Sequence, residues 1–182
     1  MKKENLRSEL LRSLSALTED EIQGLSFSLT NQIIKFLKIY PELASQIGAA
    51  YLPLKVEIAP VYQVLLHEVP VNLSFPILKD YQMGFAIPEG IPKGGVWLDR
   101  PYHEVQPEWI FVPGVGFDLK GGRLGRGKGF YDRFLQHSEA LRIGLAWSGQ
   151  LVNNIPVESH DCHMDFIITE KFCWDVKQQG KF

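Results

Sequence analysis

Cysteine is scarce in this chain: only Cys162 and Cys173 occur, and they do not form a C-x-x-C pair. Two cysteines close in sequence do not provide the disulfide framework that holds small secreted domains together. At 182 residues the chain is long enough to bury a substantial core without such a framework. We therefore expect a reduced protein in the cytoplasm, folded as a single domain over residues 1–182.

A long apolar run and a large excess of charge are also missing. No uninterrupted apolar segment approaches the roughly 20 residues that span a bilayer. The N-terminal residues are mixed in charge and lack the apolar core of a secretory signal. The net charge is only −2, which argues against a general binder of nucleic acid or of membrane surfaces. We expect neither as a partner.

Apolar spacing predicts helices and strands that alternate along the chain. The region 88–107 is rich in proline and glycine, and we predict a loop there. Alternating strands and helices imply an α/β domain with a largely parallel sheet, whose sites lie beyond the carboxyl ends of the strands. The predicted helices are 3–16, a second from the capping box at Thr18 to just before Pro41, about 60–68 and about 128–136. The predicted strands are 47–52, 71–78, 83–87, 109–113, 141–147 and 164–169.

Residues 121–133, GGRLGRGKGFYDR, are the most informative stretch, and we call them the glycine-rich segment. It holds five glycines, three arginines and one lysine. Glycines at this density allow positive φ angles and let backbone N–H groups approach a ligand closely. The helix predicted near Lys128 would aim its positive dipole end at that ligand. With the carboxylate of Asp132 added, the segment predicts a phosphate site with a metal ion.

The spacing of Gly122, Gly127 and Lys128 matches the G-x-x-x-x-G-K of a P-loop, but the wider context does not. Gly129 stands where a P-loop has the Ser or Thr that holds Mg²⁺. We therefore reject a standard P-loop and take Asp132 as the candidate metal ligand. An ordinary glycine-rich turn with solvated charges stays open as the alternative.

A second cluster, HDCHMD, runs from His160 to Asp165. Zinc is disfavoured, because a structural zinc site needs four ligands and no second Cys/His cluster supplies the rest. Asp165 is instead a candidate second carboxylate for a Mg²⁺ held with Asp132, since hard cations prefer oxygen ligands. The alternative is an ordinary solvent-facing strand residue. Lys3 and Arg7 share one helical face and, considered alone, are surface charges.

Four motifs follow one another along the chain. They are KxxLR at 3–7, YLPLxxE at 51–57, VPGVGFD at 112–118 followed by GRLGRGKGFYD at 122–132, and PxxxHDxxMDxIITE at 156–170. In this order they resemble the 5-formyltetrahydrofolate cyclo-ligase family, and the resemblance covers nearly the whole chain. It implies a three-layer α/β/α domain of the NagB/RpiA/CoA transferase-like type.

The resemblance also implies an activity, its co-substrate and its metal. ATP and Mg²⁺ would drive closure of 5-formyltetrahydrofolate to 5,10-methenyltetrahydrofolate, with release of ADP and phosphate. In that family ATP phosphorylates the formyl oxygen, and N10 of the folate then attacks the activated carbon. An N-formyl amide is a poor electrophile with a poor leaving group, so phosphorylation corrects both faults.

The resemblance assigns roles by position in this sequence. Arg126 and Lys128 would be catalytic by stabilising developing charge, and Asp132 and Asp165 would hold Mg²⁺. The implied nucleotide-binding residues are Lys3, Arg7, Arg123, Leu124, Gly125, Arg126, Gly127, Lys128, Gly129, Phe130 and Tyr131. The implied folate-binding residues are Leu52, Glu57, Arg126, Gly127, Lys128, Gly129 and Phe130.

Three departures from the family pattern concern substrate contacts. Ala59-Pro60 stands where an acidic residue and Thr are common, Arg100 stands in place of Glu, and Phe130 replaces a common Tyr. A related protein of the same fold with altered substrate choice is therefore one alternative. A non-enzymatic module that binds nucleotide or RNA through the basic segment is another, although no aromatic ladder for base stacking accompanies the charge. We expect a monomer.

Overall fold

The computed structural model describes residues 2–54, 57–80, 82–89, 102–156, 158 and 161–182. Arg100 and His160 lie outside the described residues. The helices are α1 Lys3–Ser15, α2 Glu19–Ile39, α3 Pro41–Ser45, α4 Tyr62–Glu68 and α5 Phe130–Leu135, with a 3-10 turn at Ser148–Gln150. The strands are β1 Ile47–Ala49, β2 Asn72–Lys79, β3 Gln82–Pro88, β4 Tyr102–Val105, β5 Trp109–Pro113, β6 Gly116–Phe117, β7 Arg123–Leu124, β8 Leu141–Leu145, β9 Phe166–Ile168, β10 Cys173–Asp175 and β11 Gly180–Lys181.

The helix boundaries follow local capping chemistry. The Thr18 side chain accepts a hydrogen bond from the Glu21 N–H, and the Glu21 carboxylate accepts one from the Thr18 N–H, so the predicted capping box starts α2. The helix ends at Ile39, just before Pro41, which opens α3. Helix α5 begins two residues later than predicted, because Gly129 takes a left-handed conformation with φ of 67°.

Among the described residues, nine strands form the main sheet in the order β11-β10-β9-β8-β5-β1-β2-β3-β4. The central strands from β9 to β2 are parallel to one another. Antiparallel strands extend both ends of the sheet, β3 and β4 on one side and β10 and β11 on the other. The α/β prediction is confirmed, and the sheet is mixed around a parallel centre.

Two sequence predictions of secondary structure are wrong in detail. The region 88–107 was predicted as loop, yet Tyr102–Val105 pairs with β3 as an edge strand. The predicted strand 47–52 ends at Ala49, because the Tyr51 backbone bonds to the Tyr62 hydroxyl instead of continuing the ladder. An edge strand shows little periodic pattern in its sequence, and neither does a side chain that replaces a backbone hydrogen bond between strands.

Side chains of β5 alternate between two buried clusters on opposite faces of the sheet. Trp109 and Phe111 pack with α2 and α4 on one face. Ile110 and Val112 pack on the other, with Phe117 and the end of α5. Helix α1 covers the small β6–β7 hairpin through a third cluster. Apolar layers on both faces give the three-layer arrangement that was expected.

Candidate active site

A cleft of about 320 Å³ opens beyond the carboxyl ends of β1, β2 and β5. One wall is the glycine-rich segment, and the opposite wall comes from the chain after β1 and from the β2–β3 hairpin. Such crevices are the usual place for ligands in open α/β sheets. The lining residues are Tyr51, Leu52, Leu54, Glu57, Pro76, Leu78, Met83, Pro113, Gly114, Arg123, Gly125, Arg126, Gly127, Lys128, Gly129, Phe130, Tyr131 and Asp132.

The buried carboxylate of Asp118 holds the base of the glycine-rich segment in place. One of its oxygens accepts hydrogen bonds from the backbone N–H groups of Lys120 and Gly122, both at 2.9 Å. Its other oxygen accepts one from the Ile155 N–H at 2.7 Å. A side chain on Gly122 would collide with this carboxylate. The sequence analysis gave Asp118 no role of its own, although its place in the VPGVGFD motif was a usable signal.

Arg123 borders the cleft, but nearly all of its side chain is buried beneath the loop. Its side chain is only 5% exposed, and its Nη1 donates to the Pro113 carbonyl at 3.0 Å. Its Nη2 donates to Asp132 Oδ1 at 2.5 Å, which fixes the carboxylate at the first turn of α5. The guanidinium also faces the Tyr131 ring, with 5.6 Å between its carbon and the ring centroid. Arg123 therefore ties the end of β5 to the start of α5.

The loop from Gly125 to Gly129 presents unused backbone donors to the cleft. Within the described part of the chain, no N–H group from Gly125 through Asp132 donates a hydrogen bond. Gly127 and Gly129 have φ angles of 94° and 67°, a region that other residues adopt only at a cost. Open N–H groups, positive φ glycines and the first turn of α5 together make a concave surface suited to an anion.

The basic side chains around this loop differ in their hydrogen-bond and ion-pair partners. Arg126 Nε donates to Glu57 Oε1 at 2.7 Å across the cleft. Arg7 Nε donates to the Gly125 carbonyl at 2.9 Å, so α1 supports the loop from outside. Lys128 is exposed at the cleft, and its ammonium has no hydrogen-bond or ion-pair partner in the described part of the chain. Lys128 is therefore ready to meet an anionic ligand.

Lys3 is bound to carboxylates of a neighbouring segment and not to the loop. Its Nζ lies 2.6 Å from Asp161 Oδ2 and 3.3 Å from Glu158 Oε1. Burial lowers the pKa of Lys3, but hydrogen bonds with Asp161 and Glu158 outweigh it and raise the pKa overall. The ammonium is thus charged at neutral pH, and a phosphate would have to displace these partners to use it.

Leu124 and Asp165, which were also predicted from the family pattern, lie away from the cleft as well. The Leu124 side chain is buried in one cluster with Leu6 and Leu10 of α1, and its backbone pairs with Gly116. Asp165 precedes β9 at the amino ends of the parallel strands, where its Oδ2 accepts from the Arg142 N–H at 3.0 Å. The structure does not bring Leu124 or Asp165 to the predicted ligands.

The structure gives no support to a metal shared between Asp132 and Asp165. Asp132 contacts Arg123 at the carboxyl end of β5, whereas Asp165 is level with the start of β8, at the opposite edge of the sheet. Among the described residues, no group of three or more His, Cys, Asp and Glu side chains is placed to hold a metal ion. Asp132 alone fits Mg²⁺, which is commonly held by one or two carboxylates together with substrate phosphates and water.

Tyr131 and the Ala59-Pro60 pair have clear structural settings. Burial raises the pKa of Tyr131, with Arg123 acting in the opposite direction, so the phenol stays protonated at neutral pH. Ala59 and Pro60 are buried beneath α2, where the Ala59 N–H donates to the Ser26 hydroxyl, and they do not line the cleft. The change at this position therefore affects packing rather than a substrate contact.

Sequence reasoning missed the apolar wall supplied by the β2–β3 hairpin. Pro76, Leu78 and Met83 line the cleft, and Leu78 is 52% exposed although it is large and apolar. Leu54, at 56% exposed, stands on the same rim. Pro76, Leu78 and Met83 carried no motif, because only the antiparallel pairing of β2 and β3 brings them to the glycine-rich segment. An exposed apolar wall beside an anion-binding loop suits a ligand with a flat ring and a charged part.

Comparison with known proteins agrees with this geometry. A sequence model described as the 5-formyltetrahydrofolate cyclo-ligase family matches residues 1–170. The chain belongs to this family. It is 30% identical to the 5-formyltetrahydrofolate cyclo-ligase of Mus musculus, over 92% of this chain and 93% of the mouse protein. The relative from Mycolicibacterium smegmatis is 28% identical over 93% of this chain and 94% of its own.

Solved structures of the family have the same fold. The 5,10-methenyltetrahydrofolate synthetase of Mycoplasma pneumoniae superposes with a TM-score of 0.78 at 25% identity, covering 93% of this chain and 99% of that one. The synthetase of Aquifex aeolicus gives a TM-score of 0.77 at 30% identity, covering 97% and 94%. The expected fold class is confirmed.

No helix of the described residues is both long enough and apolar enough to cross a membrane.

Proposed function

We propose that this protein uses ATP to close 5-formyltetrahydrofolate to 5,10-methenyltetrahydrofolate, with release of ADP and phosphate. The observation that carries the proposal is the cleft itself. Among the described residues, one wall offers open backbone N–H groups and the unpartnered ammonium of Lys128, and the facing wall is apolar. In a member of this family, these two walls suit a triphosphate and a folate ring side by side.

The reaction needs the formyl oxygen to become a leaving group. The formyl oxygen forms a bond to the γ-phosphorus of ATP, and ADP departs with the electrons of the broken P–O bond. N10 then forms a bond to the formyl carbon and gives up its proton. The C–O bond breaks, and the former formyl oxygen leaves in inorganic phosphate. Phosphoryl transfer of this kind relies on positioning and charge neutralisation more than on covalent help from the protein.

The loop residues supply positioning and charge. We assign the backbone of Gly125–Phe130 and the ammonium of Lys128 to the phosphates. Fixed donors aimed at developing charge act most strongly where water is excluded. Arg7 supports the loop through the Gly125 carbonyl and borders the phosphates. Lys3 enters the nucleotide site only by exchanging Asp161 and Glu158 for phosphate oxygens.

The folate side of the site is assigned to Leu52, Glu57 and the ring of Phe130. Arg126 is held by Glu57 in this structure, so we expect its guanidinium to leave the carboxylate when it meets a phosphate. Glu57 is then free to accept a hydrogen bond from the N–H groups of the pterin. Arg126 therefore borders both ligands, in keeping with its place at the cleft, where it reaches from one wall to Glu57 of the other.

Asp132 is the residue that would hold Mg²⁺. Its Oδ1 is bonded to Arg123, and its side chain lines the cleft at 31% exposure. Bound there with the phosphates of ATP, the ion would neutralise their charge. Asp165 has no part in this assignment, since it lies at the other edge of the sheet.

The test is a turnover assay with purified protein, Mg²⁺, ATP and 5-formyltetrahydrofolate, followed by the absorbance of the methenyl product. We expect product only when ATP is present. A protein that binds ATP but makes no product from this folate would instead be a same-fold relative with a different substrate. Salt-sensitive binding to RNA, with no turnover, would favour the non-enzymatic module.

We further propose that the protein acts in the cytoplasm as a monomer with one domain. Its two free cysteines, one of them buried, are in keeping with a reducing compartment. Light scattering of the purified protein tests the monomer directly.

A further inference from the structure

The structure assigns Arg123 the role of a positioning residue that acts through Asp132, instead of binding ATP directly. This inference rests on the proposed function, because it concerns how the nucleotide side of that site is built. Arg123 belongs to the RLGRGKG stretch that the family pattern links to the nucleotide. Its place in the fold separates it from the other cations of that stretch.

The guanidinium of Arg123 is committed inside the protein. The side chain is 5% exposed, and its two terminal nitrogens donate to the Pro113 carbonyl and to Asp132 Oδ1. Its Nε is buried and has no partner among the described residues. The backbone of Arg123 pairs with Phe117 in the β6–β7 hairpin, so the residue is anchored in a strand and not in the loop that follows.

The loop above Arg123 is built to close over it. A Cβ atom on Gly125 would lie 3.2 Å from Arg123 Nη1 and 3.3 Å from its Nη2. The backbone at Gly125 therefore lies close to the guanidinium and leaves no room for a side chain there. A phosphate that used Arg123 would have to compete with the Pro113 carbonyl and with Asp132.

The arrangement gives Arg123 a function that a lysine could not perform. A planar guanidinium bridges two acceptors in a fixed direction, whereas an ammonium is a single point charge. By joining the end of β5 to the first turn of α5, Arg123 sets the direction of the Asp132 carboxylate. A displacement of about 1 Å in such a group can reduce turnover by on the order of 100-fold.

A double-mutant cycle separates this role from direct binding. The variants are Arg123→Met, Asp132→Asn and the pair together, each measured for kcat, for KM and, without substrate, for the Kd of ATP in EDTA. We expect each single variant to lose on the order of 100-fold in kcat/KM, and the double variant to be little worse than Asp132→Asn. The metal-free Kd of ATP should stay within about threefold of the wild-type value.

Arg142→Met is the matched control. Arg142 is also a bound arginine whose Nε is buried without a partner among the described residues, but it donates to the carbonyls of Leu135 and Ser138, away from the cleft. Its loss should lower the urea midpoint as Arg123→Met does and leave kcat and the KM for ATP unchanged. Arg123→Lys should behave like Arg123→Met, because one ammonium does not bridge both acceptors.

Two results would overturn the assignment. One is a double variant whose loss equals the product of the single losses. The other is a metal-free Kd of ATP that rises about tenfold or more in Arg123→Met, which is the rise expected when a charged contact with ATP is lost.

If these variants do not fold, arginine side-chain NMR of the wild-type protein decides. ATP should shift the Arg126 signals, and a coupling between Arg123 nitrogen and phosphorus would exclude the role. Failure of the wild-type protein to turn over would refute the proposed function alone.

Discussion

Among the described cations of the glycine-rich segment, Lys128 is the one whose charged group makes neither a hydrogen bond nor an ion pair. Arg123 is bound to Asp132, and Arg126 is bound to Glu57. Arg133 lies over the Phe130 ring and donates to the Lys128 carbonyl. An unpaired ammonium beside open N–H groups meets a phosphate without first breaking a bond, so Lys128 should contribute most of any side chain here to phosphate recognition.

We expect Lys128→Ala to reduce kcat by on the order of 100-fold or more, since it removes a charge aimed at the transferring phosphoryl group. Steady-state kinetics with saturating ATP measures the loss. Lys120→Ala is the control, because Lys120 is also exposed but bonds Asn154 outside the cleft. Near-normal turnover in Lys128→Ala would remove this residue from the mechanism.

For single residues, the sequence predicted well which ones lie at the site, but it predicted less well which of them face the ligands. Leu52, Glu57 and Lys128 all line one cleft, as the motifs implied. Leu124 and Arg123 were counted with them because they are neighbours in sequence. Both side chains are buried where β7 pairs with β6, and Leu124 packs against α1. Which face of a short strand is buried depends on how it pairs with its neighbour, and its own residues do not reveal that pairing.

The loop from Gly125 to Gly129 connects β7 to α5 and is the element on which the site depends. Its shape requires positive φ at Gly127 and Gly129. At Gly127 the space for a side chain is open, since the nearest atom to an added Cβ is Arg7 Cζ at 3.8 Å. A substitution there tests backbone conformation without a collision.

We expect Gly127→Ala to raise the KM for ATP by about tenfold, because the strained loop no longer points its N–H groups into the cleft. Positive φ at a residue with a side chain costs on the order of 1 kcal/mol, so the protein should remain folded. Circular dichroism checks the fold, and nucleotide titration checks the affinity. An unchanged affinity for ATP would mean that the loop backbone does not form the cradle.

The elements were predictable to differing degrees. The long helix α2 and the buried strand β5 carry clear signals, a capping box in one and a continuous apolar run in the other. The β2–β3 hairpin was predicted as two strands, but the antiparallel pairing that brings Pro76 and Leu78 to the cleft was not. Pairing direction is decided between distant parts of the chain, so single-strand patterns do not contain it.

The whole molecule is organised by the parallel centre of the sheet, where β1 lies between β2 and β5. Gly48 in β1 faces the indole of Trp109 in β5, which is fully buried and donates to the Leu43 carbonyl. No side chain fits between the two strands at this point, because a Cβ atom would overlap the indole ring. The glycine in β1 therefore leaves the space that the Trp109 side chain of β5 occupies.

Two glycine substitutions should therefore act in opposite directions on stability. Gly48→Ala should lower the free energy of unfolding by about 1–3 kcal/mol or more, since overpacking forces the strand or the indole to move. Gly24→Ala should stabilise by about 0.5–1 kcal/mol, because the position lies inside α2 with nothing within 4 Å of an added Cβ. Urea unfolding measures both, and equal midpoints would contradict the packing described for β1 and β5.

The global arrangement also explains why Asp132 and Asp165 lie apart. They were paired because hard cations prefer oxygen ligands, and the family resemblance implied the same pair. Parallel strands carry one of them to the carboxyl edge of the sheet and the other to the amino edge. Only the sheet order reveals that separation, whereas the fold class itself could be predicted from the alternation of elements. The single domain expected over residues 1–182 stays a prediction.

The most direct test of the central claim follows the formyl oxygen. 5-Formyltetrahydrofolate labelled with ¹⁸O in the formyl group is converted with unlabelled ATP and Mg²⁺, and the phosphate released is analysed by mass spectrometry. A parallel reaction of unlabelled folate in ¹⁸O-water corrects for exchange. We predict that the label appears in inorganic phosphate, one atom for each methenyl product formed. Methenyl product accompanied by unlabelled phosphate would contradict activation of the formyl oxygen by ATP in this cleft.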